Sequence, residues 1–155
     1  MSRKERVVSE KIFDLVKGKY QEEIELIFEQ IKGRMHDEEE SFPIGIVSSK
    51  ITVLEAVIKY LRENRGFSFR KIGEVLDRNE KNVWTTYSSA KKKMKKELEG
   101  NGLMIPFKIF TGKYSALEAV VVYLRDKGLS LNEIAKMIER DNRTVWTVYN
   151  RAKKK

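Results

Sequence analysis

Reactive side chains are scarce in this 155-residue sequence, which has no cysteine and a single histidine, His36. That inventory excludes a disulfide framework, a thiolate metal site and a cysteine nucleophile. It also leaves His36, beside the acidic run 37–40, with no evident metal or catalytic partner. No glycine-rich loop of the phosphate-cradling kind is present. The chain is rich instead in positive charge and hydrogen-bonding side chains, gathered in two matching stretches. In the first, Lys81, Asn82, Thr85, Thr86, Ser88 and Ser89 lead into Lys91, Lys92 and Lys93. In the second, Arg143, Thr144, Thr147, Asn150 and Arg151 lead into Lys153 and Lys154. Arg and Asn are the side chains that bond guanine and adenine edges in pairs, and clustered lysines neutralise phosphates without reading sequence. The inventory therefore points to binding rather than catalysis, with no enzyme activity, metal or cofactor expected.

The charge is unevenly placed. The formal net charge is +9. Residues 1–41 carry 8 basic and 11 acidic side chains, 42–104 carry 13 and 7, and 105–155 carry 11 and 5, so all the excess positive charge lies beyond residue 41. Such a balance suits a phosphate backbone, because each neutralised phosphate releases counterions, although solubility alone also favours net charge. A charged N-terminus without a following apolar block, and no apolar run near the roughly 20 residues a bilayer span needs, lead us to expect a soluble protein without a membrane segment, cytoplasmic and nucleoid-associated.

The elements that must position those stretches come from an internal repeat. Residues 42–93 align with 105–155 if the first copy has one extra residue near Arg65, and about 22 of 51 aligned positions are identical. Leu54-Glu-Ala-Val is matched by Leu117-Glu-Ala-Val, Tyr60-Leu-Arg by Tyr123-Leu-Arg, Val83-Trp-Thr by Val145-Trp-Thr, and both copies end in Ala-Lys-Lys-Lys. Each copy, at about 50 residues, is marginal as an independent fold, so the two are expected to pack on each other.

Within a copy the apolar spacing predicts three helices. Leu54, Val57, Ile58 and Leu61 form one stripe, repeated by Leu117, Val120, Val121 and Leu124. Gly66 and Gly128 end that helix, and Ser68 and Ser130 stand as N-caps of a short second helix, 69–76 and 131–138; Ser130 with Glu133 makes a capping box, whereas Ser68 with Lys71 does not. After a turn at Asp77-Arg78 or Glu139-Arg140, Asn79 and Asp141 cap a third helix whose inward residues are Val83, Tyr87 and Ala90, or Val145, Tyr149 and Ala152. Tyr60 and Tyr123 are read as core. Ahead of each bundle, the proline-containing stretches 42–47 and 105–110 read as brief strands able to pair. The expected class is mainly α: two tandem helix-turn-helix modules of three helices, each preceded by a short strand, plus an N-terminal helical segment. The boundaries are 1–41 for that segment, 42–98 and 105–155 for the modules, and 99–104 for a Gly-Asn-Gly linker.

The stretch from Ser130 to Lys154 resembles the helix-turn-helix of sigma factor region 4 and its relatives, and its counterpart in the first copy is similar. A small residue midway in the second helix is matched by Ala135 and Gly73, and the threonine and valine of the third helix by Thr144-Val145 and by Asn82-Val83. Where that family places a glycine in the turn, this chain has Asp77 and Glu139, of which Asp tolerates the left-handed conformation better. The resemblance implies a DNA-binding domain without promoter melting, in which the third helix enters the major groove and presents its N-terminal and outward residues to bases. It implies double-stranded DNA as partner, with RNA polymerase a further candidate. The residues named in the opening paragraph are the DNA-binding candidates, with the lysines at phosphates or simply as solvated helix ends. Trp84 and Trp146 follow the inward valine by one position; they are open to packing on a neighbouring element, to a thymine methyl contact or to a protein partner.

The N-terminal segment carries a stripe of Val8, Ile12, Leu15, Val16, Tyr20, Ile24, Ile27, Phe28 and Ile31, interrupted only by Gly18, which predicts one helix or two with a kink. Something must cover that stripe, and a homodimer through paired helices is the favoured expectation. The functional expectation is a duplex-DNA-binding transcription regulator. A low-specificity chromosome-organising protein and a Trp-centred protein-interaction adaptor touching the transcription machinery are the alternatives.

Overall fold

The computed structural model describes residues 3–155, with the side chains of 35–39 excepted, so that of His36, together with the expectation that it has no metal partner, lies outside the described residues. The chain is mainly helical. It divides into two compact units at Glu39/Glu40. Among the described residues no helix is long and apolar enough to cross a membrane.

The first unit is a single helix, α1 (Arg3–Glu39), which continues through Gly18 without a break and extends into the acidic run as far as Glu39. A lone glycine in a helix costs about 1 kcal/mol relative to alanine, too little to interrupt a helix of 37 residues. All nine residues of the predicted stripe are exposed, from 39% at Tyr20 to 73% at Leu15.

The second unit holds both copies of the repeat. In the first, β1 (Ser41–Pro43) precedes a 3₁₀ turn (Ile44–Ile46), α2 (Val53–Glu63), α3 (Phe69–Leu76) and α4 (Glu80–Lys93). In the second, β2 (Met104–Pro106) precedes a 3₁₀ turn (Phe107–Thr111), α5 (Ala116–Asp126), α6 (Leu131–Met137) and α7 (Asn142–Lys153). The strands are shorter than the apolar stretches predicted, at three residues each, because the chain winds into a 3₁₀ turn immediately after Pro43 and Pro106. They pair antiparallel, Phe42 opposite Ile105.

Capping fixes where each helix starts. Thr52 with Glu55, Ser115 with Glu118 and Ser130 with Glu133 form complete capping boxes, while Ser68 accepts from the Lys71 N–H alone. Asn79 and Asp141 cap α4 and α7 as expected. In the turn before these helices Asp77 and Glu139 both adopt the left-handed conformation, φ 52° in each, doing without the glycine of the sigma-type turn. The Arg78 and Arg140 N–H groups, donating to the Gly73 and Ala135 carbonyls at 2.8 and 2.9 Å, close those turns and offset the strain.

One hydrophobic core runs through both copies. Phe42 of the first lies against Phe107 and Phe110 of the second, ring centroids 5.4 and 5.7 Å away. The segment between copies is not a free linker. Leu98 is buried, the Lys59 ammonium donates to the Lys96 carbonyl at 2.7 Å, and the Asn64 amide donates to the Leu98 carbonyl at 3.0 Å. Beyond it, the Gly45 N–H donates to the Asn101 carbonyl at 3.0 Å, and the backbones there approach so closely that a Cβ on Gly45 would lie 2.6 Å from that oxygen. Gly45→Ala is expected to destabilise the protein by about 1–3 kcal/mol in urea unfolding. Gly112→Ala, where a Cβ meets nothing within 4 Å, should stay within about 0.5 kcal/mol of the parent.

Candidate nucleic-acid interface

The two third helices present their polar faces outward because their apolar seams are spent on the core. In α7, Val145, Val148 and Ala152 are buried; in α4, Val83 and Ala90 are. Val148 was not foreseen as inward, whereas Tyr87 and Tyr149, like Tyr60 and Tyr123, are half-buried at the edge. Opposite the seam of α7, Arg143, Trp146, Thr147 and Arg151 are exposed and Asn150 half-buried, its amide donating to the Trp146 carbonyl at 2.9 Å. Spaced at three and four residues, these five make one continuous stripe. Thr144 is committed to the cap, its hydroxyl donating to the Asp141 carboxylate at 2.7 Å. That bond and the Thr144 N–H hold Asp141 below the usual carboxylate range.

On α4 the matching stripe is Lys81, Trp84, Thr85, Ser88 and Lys92, with Asn82 exposed beside it. The hydroxyls of Thr85, Thr86 and Ser88 donate to carbonyls four residues back, at 2.9, 2.8 and 2.9 Å, leaving their oxygens as acceptors. Trp84 and Trp146 are 56% and 59% exposed, so neither packs on a neighbouring copy or on the first helix. Two large aromatics held in the middle of polar stripes are available to a partner.

Several residues grouped with this face belong elsewhere. The Ser89 hydroxyl turns inward and donates to the Glu55 carboxylate at 2.7 Å. Lys93 pairs with the same carboxylate at 2.8 Å, and Lys155 pairs with Glu118, its counterpart, at 2.6 Å. The lysine that closes each Ala-Lys-Lys-Lys run thus returns to a buried carboxylate of the capping box on α2 or α5. Lys91 pairs with Glu63 at 2.7 Å, and Glu63 also accepts from Lys59 and from the Tyr87 hydroxyl at 3.0 Å. Lys92, Lys153 and Lys154 are exposed, with Lys153 over the Tyr149 ring. A shallow depression lined by Asn132, Lys136, Arg140 and Asn142 borders the start of α7; the sequence pattern did not single it out, because its residues come from two helices and a turn.

Glu55 and Glu118 share a motif and an electrostatic outcome. Burial raises Glu55, but the hydrogen bonds from Lys93, the Thr52 N–H and Ser89 outweigh it and hold the carboxyl below its ordinary value. The Lys155 ammonium and then the Ser115 N–H do the same for Glu118 against a smaller cost of burial. No family model, curated protein or solved structure matches this chain.

A carboxyl whose folded pKa is depressed stabilises the fold above its unfolded pKa, about 4.3, and that stability is lost as pH falls through the folded value. Urea midpoints are therefore expected to drop as pH falls from about 5 to 3. Glu55→Gln and Glu118→Gln should lower the midpoint at pH 7 and flatten that dependence; an unchanged pH profile would mean the two carboxylates are not held as described.

Proposed function

We propose that the protein binds double-stranded DNA through α4 and α7, the recognition helices of two helix-turn-helix modules, and acts as a transcription regulator. The observation that supports this most is the outward stripe on α7, with Arg143, Trp146, Thr147 and Arg151 exposed and Asn150 half-buried among them, repeated on α4 as exposed Lys81, Trp84 and Thr85 with half-buried Ser88. Each follows a tight turn and a short capped helix, which is the arrangement that delivers a helix to the major groove. Arg143, Arg151 and Asn150 carry the donors suited to base edges in the second copy, and Lys81 and Asn82 in the first. Lys92, Lys153 and Lys154 meet phosphates. Lys91 and Lys93 contribute little, because Glu63 and Glu55 already neutralise them.

Exposure of Trp84 and Trp146 favours a second reading, in which these helices dock on a protein of the transcription machinery such as RNA polymerase. Binding without sequence preference, as in chromosome organisation, is the remaining form of the first reading.

Fluorescence titration of labelled duplexes of about 30 base pairs across a salt range separates them. Arg143→Glu with Arg151→Glu is expected to weaken duplex binding by on the order of 100-fold or more, with the circular dichroism spectrum unchanged. Lys92→Ala and Lys154→Ala should each lower the salt slope by about one, and Lys93→Met should leave it unaltered while reducing stability. Absence of binding at low salt would remove the DNA reading and leave the tryptophan-centred one.

A further inference from the structure

The pairing of the two strands bears on the kind of DNA site such a protein would read. Phe42 and Ile105 occupy the same place in the two repeats, and they are the residues that face each other in the antiparallel ladder. A residue that pairs antiparallel with its own equivalent lies on a two-fold axis, here an approximate one within a single chain. The flanking pairs obey the same dyad: Ser41 faces Pro106 and Pro43 faces Met104, each pair being the exchange of the other. Contacts between copies also run in both directions. The equivalent helices α2 and α5 touch each other. The first copy's α3 packs on the second copy's 3₁₀ turn, and Arg140, just after α6, donates to the Ser48 and Ile51 carbonyls at 2.6 and 3.0 Å, immediately beyond the first copy's 3₁₀ turn. Tandem repeats stacked by translation would instead join head to tail.

We infer that the site is an imperfect inverted repeat, read by one chain in the way a two-fold dimer reads a palindrome; this rests on the DNA-binding reading above. Helices related by a dyad approach the two DNA strands in opposite senses, so their half-sites run in opposite directions. The halves are unequal because the helices are. Trp84 and Thr85 match Trp146 and Thr147, but Lys81 stands for Arg143, Asn82 for Thr144, and Ser88 for Asn150.

Enrichment of duplexes from a library with a randomised core of about 40 base pairs, using the full chain, tests this. The expected product holds two related elements in opposite orientation. Arg143→Ala with Thr147→Ala should erase the preference in one element and leave the other, and Lys81→Ala with Thr85→Ala should do the converse. Elements in direct orientation, a single element, or binding without enrichment would overturn the inverted repeat while DNA binding stood. Failure to retain any duplex would overturn the DNA reading itself.

An independent observation concerns α1. Val8, Ile12, Val16, Tyr20, Ile24 and Phe28 recur every fourth residue as one apolar ridge, and twelve large hydrophobics of this helix are exposed. The charges show which partner fits. Residues 3–19 hold six basic and three acidic side chains, and 20–39 hold two basic and seven acidic. Each half opposes the helix's own macrodipole, and a second α1 running antiparallel would compensate both ends, whereas a parallel one would set like against like.

We propose that two copies of the chain associate through antiparallel α1 helices. The absence of native cysteine permits a clean test with Val8→Cys and Leu26→Cys chains, five full turns apart on one side of α1, oxidised singly and mixed. The mixture is expected to form mainly the mixed disulfide, less of it at high salt. Self-linked Val8→Cys chains would establish a parallel pair and overturn the orientation, and a monomer in sedimentation at all concentrations would overturn the association.

Discussion

The contact in which Phe42 lies against Phe107 and Phe110 is the one on which the rest of the second unit depends. A module of about 50 residues buries too small a fraction of its surface to be robust alone. Placing an aromatic ring of one copy against two rings of the other gives both copies a common interior, and Ile105, fully buried opposite Phe42, extends it. The strands need be only three residues long, since their work is to bring these side chains to one place. Once they have done so, the segment joining the copies is drawn against the 3₁₀ turn at Gly45, and the orientation of every later helix follows from the same junction.

From that junction outward, the carboxylates of the capping boxes carry the constraint to the outer helices. Glu55 satisfies the Thr52 N–H at the start of α2 and at the same time receives Lys93 from the end of α4. Glu118 repeats this with Ser115 and Lys155. A single buried charge thus ties the first turn of one helix to the last turn of another. Because burying a carboxylate without a partner is costly, the lysine that meets it cannot drift. This accounts for the alanine and the third lysine of Ala-Lys-Lys-Lys at both helix ends on structural grounds, independent of any ligand: the alanine is buried and the third lysine is an internal partner.

Much of this was legible in the sequence where the signal is local. The caps Ser68, Asn79, Ser130 and Asp141 mark helix starts because a side chain that accepts from an N–H two or three residues on leaves a readable spacing, and the stripe at Leu54, Val57, Ile58 and Leu61 marks α2 by period alone. Signals that depend on distant residues were not legible. Nothing near Lys93 or Ser89 in the chain announces Glu55, some 35 residues away, and so both were grouped with the outward face. Trp84 and Trp146 could have packed on a neighbour, and only the fold shows that none reaches them. The strands were read too long because apolar content persists past Pro43 and Pro106 while the backbone there winds into 3₁₀ turns.

The departures from two-fold symmetry fall in a pattern. In the first copy, polar side chains of α4 turn inward: Ser89 and Lys93 to Glu55, Lys91 and Tyr87 to Glu63, with Lys59 fully buried beneath them. The corresponding positions of the second copy lack most of that network, since Val122 replaces Lys59, and Arg151 in place of Ser89 stays exposed. The second copy instead spends Arg140 on holding the first, through the carbonyls of Ser48 and Ile51. Under the DNA-binding proposal this divides the work between duplicates. The first copy's third helix is the more firmly tied and the poorer in base-reading groups, so its half-site is the less strictly read. The second keeps Arg143, Asn150 and Arg151 outward, and its turn is braced against the first copy, so that a helix free to discriminate between bases is still held at a fixed orientation.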